Sequence, residues 1–411
     1  MKKTFSLLFM ATLILTLAAC GENGEDERDY ELKKGETPVT DRLSLDEAYE
    51  DKTYVTTGEN GPELADGIGE VTLEACNDGD TADFKDGDVT FTSRFVGIDT
   101  PESGHVIEEW GIAAGDYACD ILKDANTIVL EREPEEDAKG TYGRFLSYVW
   151  VDGRLLNLEM VEQGFTNAKG VSAYKYADAF YEAEENAKEL ELRIHGEDDP
   201  MIPDDDAVDV TIQELVENPE EYMYRKVNIE GLVTKRLGNT DTGNGVFIES
   251  LDSDHGIYFN LGYDYSNILG EGYKVTIEDA RFAADTKDFE GMHITDYPEV
   301  ELSSPDDWVD HNVEPGTTAF DALDEESTGR LYRYEDLVVS EVSPEENTFT
   351  VEDADGNTMP VYQHDHVPES DRLDLESLKA GSTIDLEAPL SVHGETLTFF
   401  IASKDDLTIK D

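Results

Sequence analysis

Between positions 78 and 144 of this 411-residue chain lie several side chains whose types could together cleave a phosphodiester. Asp80 and Asp99 can share a hard cation such as Ca2+, which prefers oxygen ligands. Arg94 and Arg144 can each present a planar, bidentate guanidinium group to phosphate oxygens. Glu102 adds a carboxylate that can accept a proton from water. This combination predicts metal-assisted hydrolysis of a phosphodiester bond.

The spacing of these residues also predicts how they are positioned. Asp80, Asp99 and the backbone carbonyl of Thr100 would supply three oxygen ligands to Ca2+, with water molecules completing the shell. Glu102 follows Thr100 by two residues, so its carboxylate would lie near the metal as a general base. Pro101 cannot donate a backbone hydrogen bond and restricts its neighbour, which predicts a strand that ends in a loop.

Three motifs in this order resemble the staphylococcal nuclease (thermonuclease) family. They are D-G-D-T at 78–81, R-F-V-G-I-D-T-P-E at 94–102 and Y-G-R at 142–144. The helical segment at 184–194 extends the resemblance, which covers roughly residues 70–196, a normal size for one domain. The resemblance implies an OB-type barrel of five strands with three helices, and cleavage of DNA and RNA with Ca2+.

The resemblance also implies a role for each matching residue. Asp80, Asp99 and the Thr100 carbonyl would bind the metal. Arg94 and Arg144 would bind the scissile phosphate and stabilise the transition state. A single motif of this kind could equally be a turn or a surface ion pair, whereas the three together favour the catalytic interpretation.

The implied site is completed by the general base and by contacts to the substrate. Glu102 would activate or orient the attacking water, and Tyr142 would contact a substrate phosphate. The family often has an Asp-Lys or Asp-Arg pair before Tyr-Gly-Arg, but this chain has Gly140-Thr141. A phosphate-binding lysine is therefore missing, and Lys139 could compensate for it.

Other departures keep a second hypothesis open. The family's tyrosines after the Gly-Phe segment do not align, because Tyr174 and Tyr176 come late in this chain. The closing tryptophan of the family is replaced by His195. The alternative to an enzyme is a catalytically silent barrel that serves as a nucleic-acid-binding or cell-envelope scaffold.

The N-terminus predicts the location of the protein. Lys2 and Lys3 precede an apolar run at 5–19, which is too short for a stable membrane span and is typical of a signal sequence. The run ends in L-A-A-C at 17–20, which resembles the bacterial lipobox. Residues 1–20 are therefore predicted to be a lipoprotein signal peptide, with lipidation of Cys20 and a membrane anchor on the extracellular side. An ordinary signal peptide is the alternative.

The remaining chain divides by composition. Residues 21–66 are predicted to be an acidic flexible tether, because the segment after Cys20 is poor in apolar residues. A nuclease-like domain at 67–197 and an acidic linker at 198–208 would follow. Two all-β, OB-like domains would occupy 209–309 and 315–411, so the whole chain is predicted to be mainly β with some α. A monomer is expected.

Two cysteines remain beyond the signal sequence, Cys76 and Cys119. An exported protein is permitted a disulfide, and such a bridge would link the strand before D-G-D-T to the first helix. Two buried thiols that pack as small apolar groups are the alternative.

The second half shows alternating apolar runs separated by Gly, Asn and Asp. Five strands are predicted at 226–233, 245–250, 256–261, 274–282 and 299–302. Similar segments recur about a hundred residues later, which indicates a domain-sized repeat. The ligand of these OB-like modules is unknown. Their aromatic residues could stack on single strands but are more typical of core packing; they are Tyr222, Tyr224, Tyr258, Phe259, Tyr263 and Tyr265.

Net charge is the second large feature of the sequence. The chain has 96 acidic and 31 basic residues, giving a formal net charge of −65. A nucleic-acid-binding protein normally carries a basic surface, so the average field here repels the predicted substrate. Because the acidic residues are spread over every segment, we expect a halophilic protein that works where salt screens long-range repulsion. General binding of Ca2+ or of the cell wall is the alternative.

Overall fold

A computed structural model of the chain describes residues 38–410 with short gaps. The gaps within that range are 60, 105, 141, 197, 204–205, 240–242, 263–268, 287–288, 297, 305–308, 310–317, 366 and 395. Cys20, the predicted signal sequence and the tyrosines at 263 and 265 therefore lie outside the described residues. Within the part of the chain that is described, no helix is long and apolar enough to cross a membrane.

The first group of strands forms a closed barrel. Its strands are β3 (Ile68–Asp78), β4 (Thr81–Asp86), β5 (Val89–Phe95), β6 (Ile128–Arg132) and β7 (Phe145–Val151). Along the β4–β5 hairpin buried residues alternate with more exposed ones, and Phe84 lies opposite Phe91 in the core. Gly87 closes this hairpin with a φ of +60°, a conformation that favours glycine.

The barrel closes because β5 pairs with β7. Neighbours run in the order β5-β4-β3-β6-β7, and the β5–β7 pair that completes the ring is parallel, while the other pairs are antiparallel. The short strand β8 (Arg154–Leu155) pairs antiparallel with the end of β7. Three helices accompany the barrel: α1 (Gly111–Lys123), α2 (Leu156–Glu162) and α3 (Ala177–Glu189). The predicted OB-type barrel with helices is confirmed.

The tether prediction is wrong for residues 38–66. This segment forms a hairpin of β1 (Val55–Gly58) and β2 (Gly61–Leu64), and Val39 and Tyr54 are buried in the barrel core. The carboxylate of Glu162 at the end of α2 accepts hydrogen bonds from the Val39 amide and, at 2.6 Å, from the Thr40 hydroxyl. A few apolar side chains and these buried hydrogen bonds dock the segment despite its acidic composition.

Two further barrels follow, each with its own apolar core. The second is built from β10 (Lys226–Asn239), β11 (Gly243–Glu249), β12 (Gly256–Gly262), β13 (Lys274–Thr286) and β14 (Phe289–Thr295), with β9 (Val208–Asp209), β15 (Glu299–Leu302), α4 (Ile212–Glu217) and α5 (Pro219–Tyr222) beside it. The third is built from β16 (Leu331–Ser343), β17 (Thr348–Glu352), β18 (Thr358–Gln363), β19 (Thr383–His393) and β20 (Thr396–Ile401), with β21 (Leu407–Ile409) at its edge.

All three barrels in the described residues share one topology. In each, the third strand pairs in parallel with the fifth, and the first pairs with the fourth to close the ring. This is the strand order of a five-stranded Greek-key barrel of the OB type. The exact domain boundaries stay predictions, whereas the mainly β fold class is confirmed.

One strand of the second barrel differs from the prediction. The fifth strand was expected at 299–302, but β14 at Phe289–Thr295 closes this barrel, and β15 only extends the sheet at the edge of β13. Gly291 lies inside β14 with a φ of +86°, which breaks the regular alternation that marks a strand in a sequence.

The aromatic residues of β12 pack rather than face solvent. Tyr258 and Phe259 are buried, and the Tyr258 ring stacks on Phe289 with centroids 3.8 Å apart. Phe289 in turn packs edge-on against Phe400 of the third barrel. A buried ion pair between Lys235 and Asp406 joins the same two barrels. These rings hold the second and third barrels together, so they do not form an open base-stacking platform.

Candidate active site

Three segments meet at one end of the first barrel. The turn between β3 and β4 carries Asp78 and Asp80, the end of β5 carries Arg94, and the loop before β7 carries Arg144. Strand pairing fixes this convergence: Thr81 lies opposite Arg94 across β4 and β5, and β5 runs beside β7. Residues more than 60 positions apart in sequence are thereby held in one cluster.

Glycine at position 79 allows the turn to approach the neighbouring loop closely. A Cβ at Gly79 would lie 2.9 Å from the Thr100 side chain and 3.0 Å from Cβ of Ala114 on α1. A larger residue would push the turn away from Thr100. The motif therefore requires glycine between its two acidic residues for a steric reason.

Asp80 is the most buried carboxylate of the cluster, with 1% of its surface exposed. Its Oδ2 accepts the Thr100 backbone amide at 3.0 Å, and its Oδ1 accepts the Thr81 hydroxyl at 2.9 Å and a guanidinium nitrogen of Arg94. Burial, followed by repulsion from Asp78, raises the pKa of Asp80 to about 7, although Arg94 and the Thr100 amide oppose this shift. An additional positive charge at this carboxylate would favour its ionised form.

Arg94 bridges the two predicted metal ligands. One terminal nitrogen pairs with Asp80 and the other with Asp99, and 20% of the Arg94 side chain is exposed. The guanidinium thus lies between two carboxylates at the surface of the barrel. This arrangement places fixed positive charge beside the only two acids predicted to bind the metal.

Arg144 is linked to Asp80 through Thr81. Its Nη1 donates to the Thr81 hydroxyl at 3.4 Å, and that hydroxyl donates to Asp80. Tyr142 is 84% exposed, and the Arg144 guanidinium lies 5.7 Å from its ring centroid. An exposed ring beside a guanidinium can pack against a base or approach a phosphate of a passing strand.

Glu102 lies in the exposed loop between β5 and α1. Its backbone amide donates to the Glu108 carboxylate at 2.9 Å, and its carbonyl accepts the Glu108 amide at 2.9 Å. A Cβ at Gly111 would lie 2.1 Å from the Glu102 carbonyl oxygen, so only glycine allows the start of α1 to touch this loop. The backbone amide and carbonyl of Glu102, the predicted general base, are therefore both hydrogen-bonded.

Lys139, which was predicted to compensate for the missing lysine, contacts β2 in the structure, and its role toward the substrate stays a prediction. Its Nζ donates to the carbonyl of Pro62 in β2 at 2.7 Å and lies 4.5 Å from the Phe145 ring centroid. Tyr174 and Tyr176 are also engaged elsewhere, because their hydroxyls donate to Glu136 and Glu131.

Two residues at the site gave no signal in the sequence. The Thr166 hydroxyl accepts the Asp99 amide at 3.1 Å and donates to the Asp99 carbonyl at 2.8 Å. Lys169 forms an ion pair with Asp99 Oδ2. Both residues lie in the loop after α2, outside the motifs, so only the folded chain brings them to Asp99.

The donor set suits a hard cation. Asp80, Asp99 and the Thr100 carbonyl are all oxygen donors, and both carboxylates already face positive charge on Arg94. Among the described residues, no group of three or more His, Cys, Asp or Glu side chains could hold a metal on its own. That a metal at this site takes water molecules as well as protein oxygens stays a prediction.

A disulfide lies behind the cluster. Cys76 near the end of β3 pairs with Cys119 on α1, with Cα atoms 5.7 Å apart. The bridge ties the strand that leads into Asp78 and Asp80 to the helix that follows Glu102. Of the two alternatives left open by the sequence, the structure contains the disulfide.

Comparison with known proteins agrees with this geometry. Residues 92–194 match the family described as Staphylococcal nuclease homologue, a range that contains Arg94, Glu102 and Arg144 and begins after Asp80. Endonuclease YncB of Bacillus subtilis is 28% identical over 201 residues, which cover 47% of this chain and 92% of that protein.

Two further relatives match shorter shares of their own length. The SPbeta prophage-derived endonuclease YokF of Bacillus subtilis is 30% identical over 202 residues, covering 47% of this chain and 66% of YokF. Thermonuclease of Staphylococcus hyicus is 30% identical over 105 residues, covering 25% of this chain and 60% of that protein. The similarity to thermonuclease therefore concerns about a quarter of the chain.

Proposed function

Through its first barrel this chain belongs to the staphylococcal nuclease family. We therefore propose that it is a Ca2+-dependent nuclease that hydrolyses phosphodiester bonds of DNA, RNA or both. The observation that carries the proposal is the cluster in which Arg94 bridges Asp80 and Asp99 while Arg144 lies beside Thr81. Two guanidinium groups and two carboxylates at one surface can hold a phosphate and a cation together.

Asp80, Asp99 and the Thr100 carbonyl would hold the Ca2+ ion. When bound, the ion supplies positive charge that stabilises the charge developing on the phosphate. Arg94 and Arg144 donate to the phosphate oxygens, and these contacts strengthen as negative charge builds in the transition state. Glu102 accepts the proton of the attacking water, and Tyr142 contacts the neighbouring part of the strand.

The enzymatic proposal is tested on the full-length purified chain in detergent. We expect it to hydrolyse single-stranded or double-stranded DNA, or RNA, when Ca2+ is present, and to lose this activity in EDTA. Calorimetric titration with Ca2+ should show binding to the parent protein and none to Asp80→Asn, a readout that does not depend on activity. Oligonucleotide binding without hydrolysis under every condition would contradict the proposal and support the silent scaffold instead.

We also propose that the protein is anchored to the extracellular side of the bacterial membrane through a lipid on Cys20. The support is the apolar run ending in L-A-A-C at 17–20. We expect the parent protein in the membrane fraction labelled by a fatty-acid probe, and Cys20→Ser unlabelled and released or mislocalised. Asn23→Ser, a change three residues away, serves as the matched control. Equal membrane partitioning of Cys20→Ser and the parent would overturn the anchor.

A further inference from the structure

We propose that Lys169 is a specificity-determining residue that binds the phosphate next to the scissile one, so that the site prefers a polynucleotide to a single phosphodiester. This inference rests on the proposed nuclease function and names a contact within the same site.

The position of Lys169 is fixed by the backbone. Its amide donates to the Gly97 carbonyl at 2.8 Å, which docks this loop onto the segment after β5. Two residues later Val171 is buried, and a Cβ at Gly97 would lie 2.9 Å from its side chain. Thr166, at the start of the same loop, holds the backbone of Asp99 through two hydrogen bonds. These contacts therefore hold the loop in a fixed position beside the site.

The charges around Lys169 favour a phosphate contact. Asp99 pairs with Arg94 through Oδ1 and with Lys169 through Oδ2, so one carboxylate is shared by two cations. The Lys169 side chain is 65% exposed, compared with 20% for Arg94. An exposed ion pair of this kind contributes little to stability. The ammonium group can therefore exchange Asp99 for a phosphate oxygen with little loss.

One chain of contacts links the cations of the site. Arg144 touches Thr81, which touches Asp80; Arg94 joins Asp80 to Asp99; and Lys169 lies beyond Asp99. If a phosphate is held between Arg94 and Arg144, Lys169 lies beyond it, on the far side of the Asp99 carboxylate. A strand that continues past the scissile phosphate would bring its next phosphate toward this exposed ammonium group.

Because the chain is strongly acidic, a local cationic contact of this kind matters for substrate binding. The chain carries 96 acidic and 31 basic residues, so its average field repels a polyanionic substrate. Lys139, the other candidate, donates to the Pro62 carbonyl of β2. Lys169 is the lysine that the described structure places on a carboxylate of the site.

The test compares Lys169→Met, which keeps the length of the side chain, with Lys169→Arg and with Lys188→Met. Lys188 pairs with Glu184 on the surface of α3 and provides the same change of charge away from the site. The substrates are a twelve-nucleotide oligothymidylate and a thymidine p-nitrophenyl phosphodiester with no flanking phosphate. On the oligonucleotide, Lys169→Met should raise KM about tenfold with kcat unchanged. Lys169→Arg and Lys188→Met should resemble the parent.

Two further readouts separate a phosphate contact from a structural role. Relative to Lys188→Met, the slope of log KM against log salt should change by about 0.7 in Lys169→Met, the value for one contact to a single strand. On the single phosphodiester, KM of Lys169→Met should rise by much less than on the oligonucleotide. Equal losses on both substrates would show that Lys169 acts only by positioning Asp99, and would overturn the inference, as would a KM like that of the parent.

Direct binding keeps this test separate from the nuclease proposal. Fluorescence anisotropy of the oligonucleotide in EDTA measures affinity without hydrolysis. If the parent does not hydrolyse DNA, the proposed function fails, but a tenfold weaker affinity of Lys169→Met than of Lys188→Met still supports the phosphate contact. Equal affinities of these two variants would overturn it whether or not the parent is active.

Discussion

Replacing Arg144 or Glu102 with alanine should lower kcat on DNA by about 100-fold or more, because each removes a group that acts on the transition state. Arg144 is tied to the barrel by one 3.4 Å hydrogen bond to Thr81, and Glu102 lies exposed in its loop. Neither side chain is part of the apolar core, so the melting temperature should change little. The measurement is single-turnover cleavage of a labelled oligonucleotide with saturating Ca2+.

A matched control is Arg42→Ala. Arg42 pairs with Glu182 on α3 and has a half-exposed side chain, so its removal takes away one surface arginine without touching the cluster. This variant should cleave at the rate of the parent. If Arg144→Ala or Glu102→Ala, shown to be folded by circular dichroism, cleaves at the parent's rate, the assignment of that residue to the catalytic site is wrong.

The sequence could predict which arginines and acids lie together in the candidate site, because their types are rare in combination and their order is set by the strands. Arg94 ends β5 and Arg144 precedes β7, and these two strands are parallel neighbours in the barrel. Once the barrel is assumed, the positions of these residues on the strands determine how they are placed relative to one another. The same reasoning could not place Lys139, whose long side chain turns to the carbonyl of Pro62.

Residues that depend on contacts distant in sequence were out of reach. Thr166 and Lys169 act on Asp99 only because the loop after α2 docks beside Gly97. Likewise, the average composition of residues 21–66 concealed Val39 and Tyr54, two apolar side chains that are buried in the barrel core. Burial of a few side chains can order a segment that composition alone assigns to a tether.

In the second barrel, local pattern and topology disagree. The β14 segment contains glycine at 291 with a positive φ, whereas β15 reads as a regular alternating strand. Nevertheless, β14 is the strand that closes the barrel, because it pairs in parallel with β12 and antiparallel with β13. Pairing with two neighbours outweighs the weak local preference of the strand.

Both the nuclease rate and the melting temperature should rise with NaCl from low salt before the rate passes through an optimum. With a net charge of −65, the acidic residues repel one another and the polyanionic substrate. The Debye length falls to about 3 Å at 1 M salt, so screening relieves both repulsions. At higher salt the contacts of Arg94 and Arg144 with phosphate should weaken in turn, which lowers the rate while the fold stays stable.

This last expectation is measured from 0.05 to about 3 M NaCl at saturating, fixed Ca2+, a range over which the Debye length falls to a few ångströms or less. The rate should increase by about tenfold or more before its maximum, because relief of repulsion acts on association. Sucrose at matched osmolality is the control, since it stabilises folded proteins by exclusion from their surface without screening charge. A rise of the melting temperature in NaCl beyond that in sucrose identifies screening as the cause.

A basic nuclease that holds its substrate by phosphate contacts alone loses affinity from the lowest salt upward. If rate and melting temperature both decline steadily from the lowest salt, the acidic surface is not an adaptation to salt, and a local basic groove must instead attract the substrate.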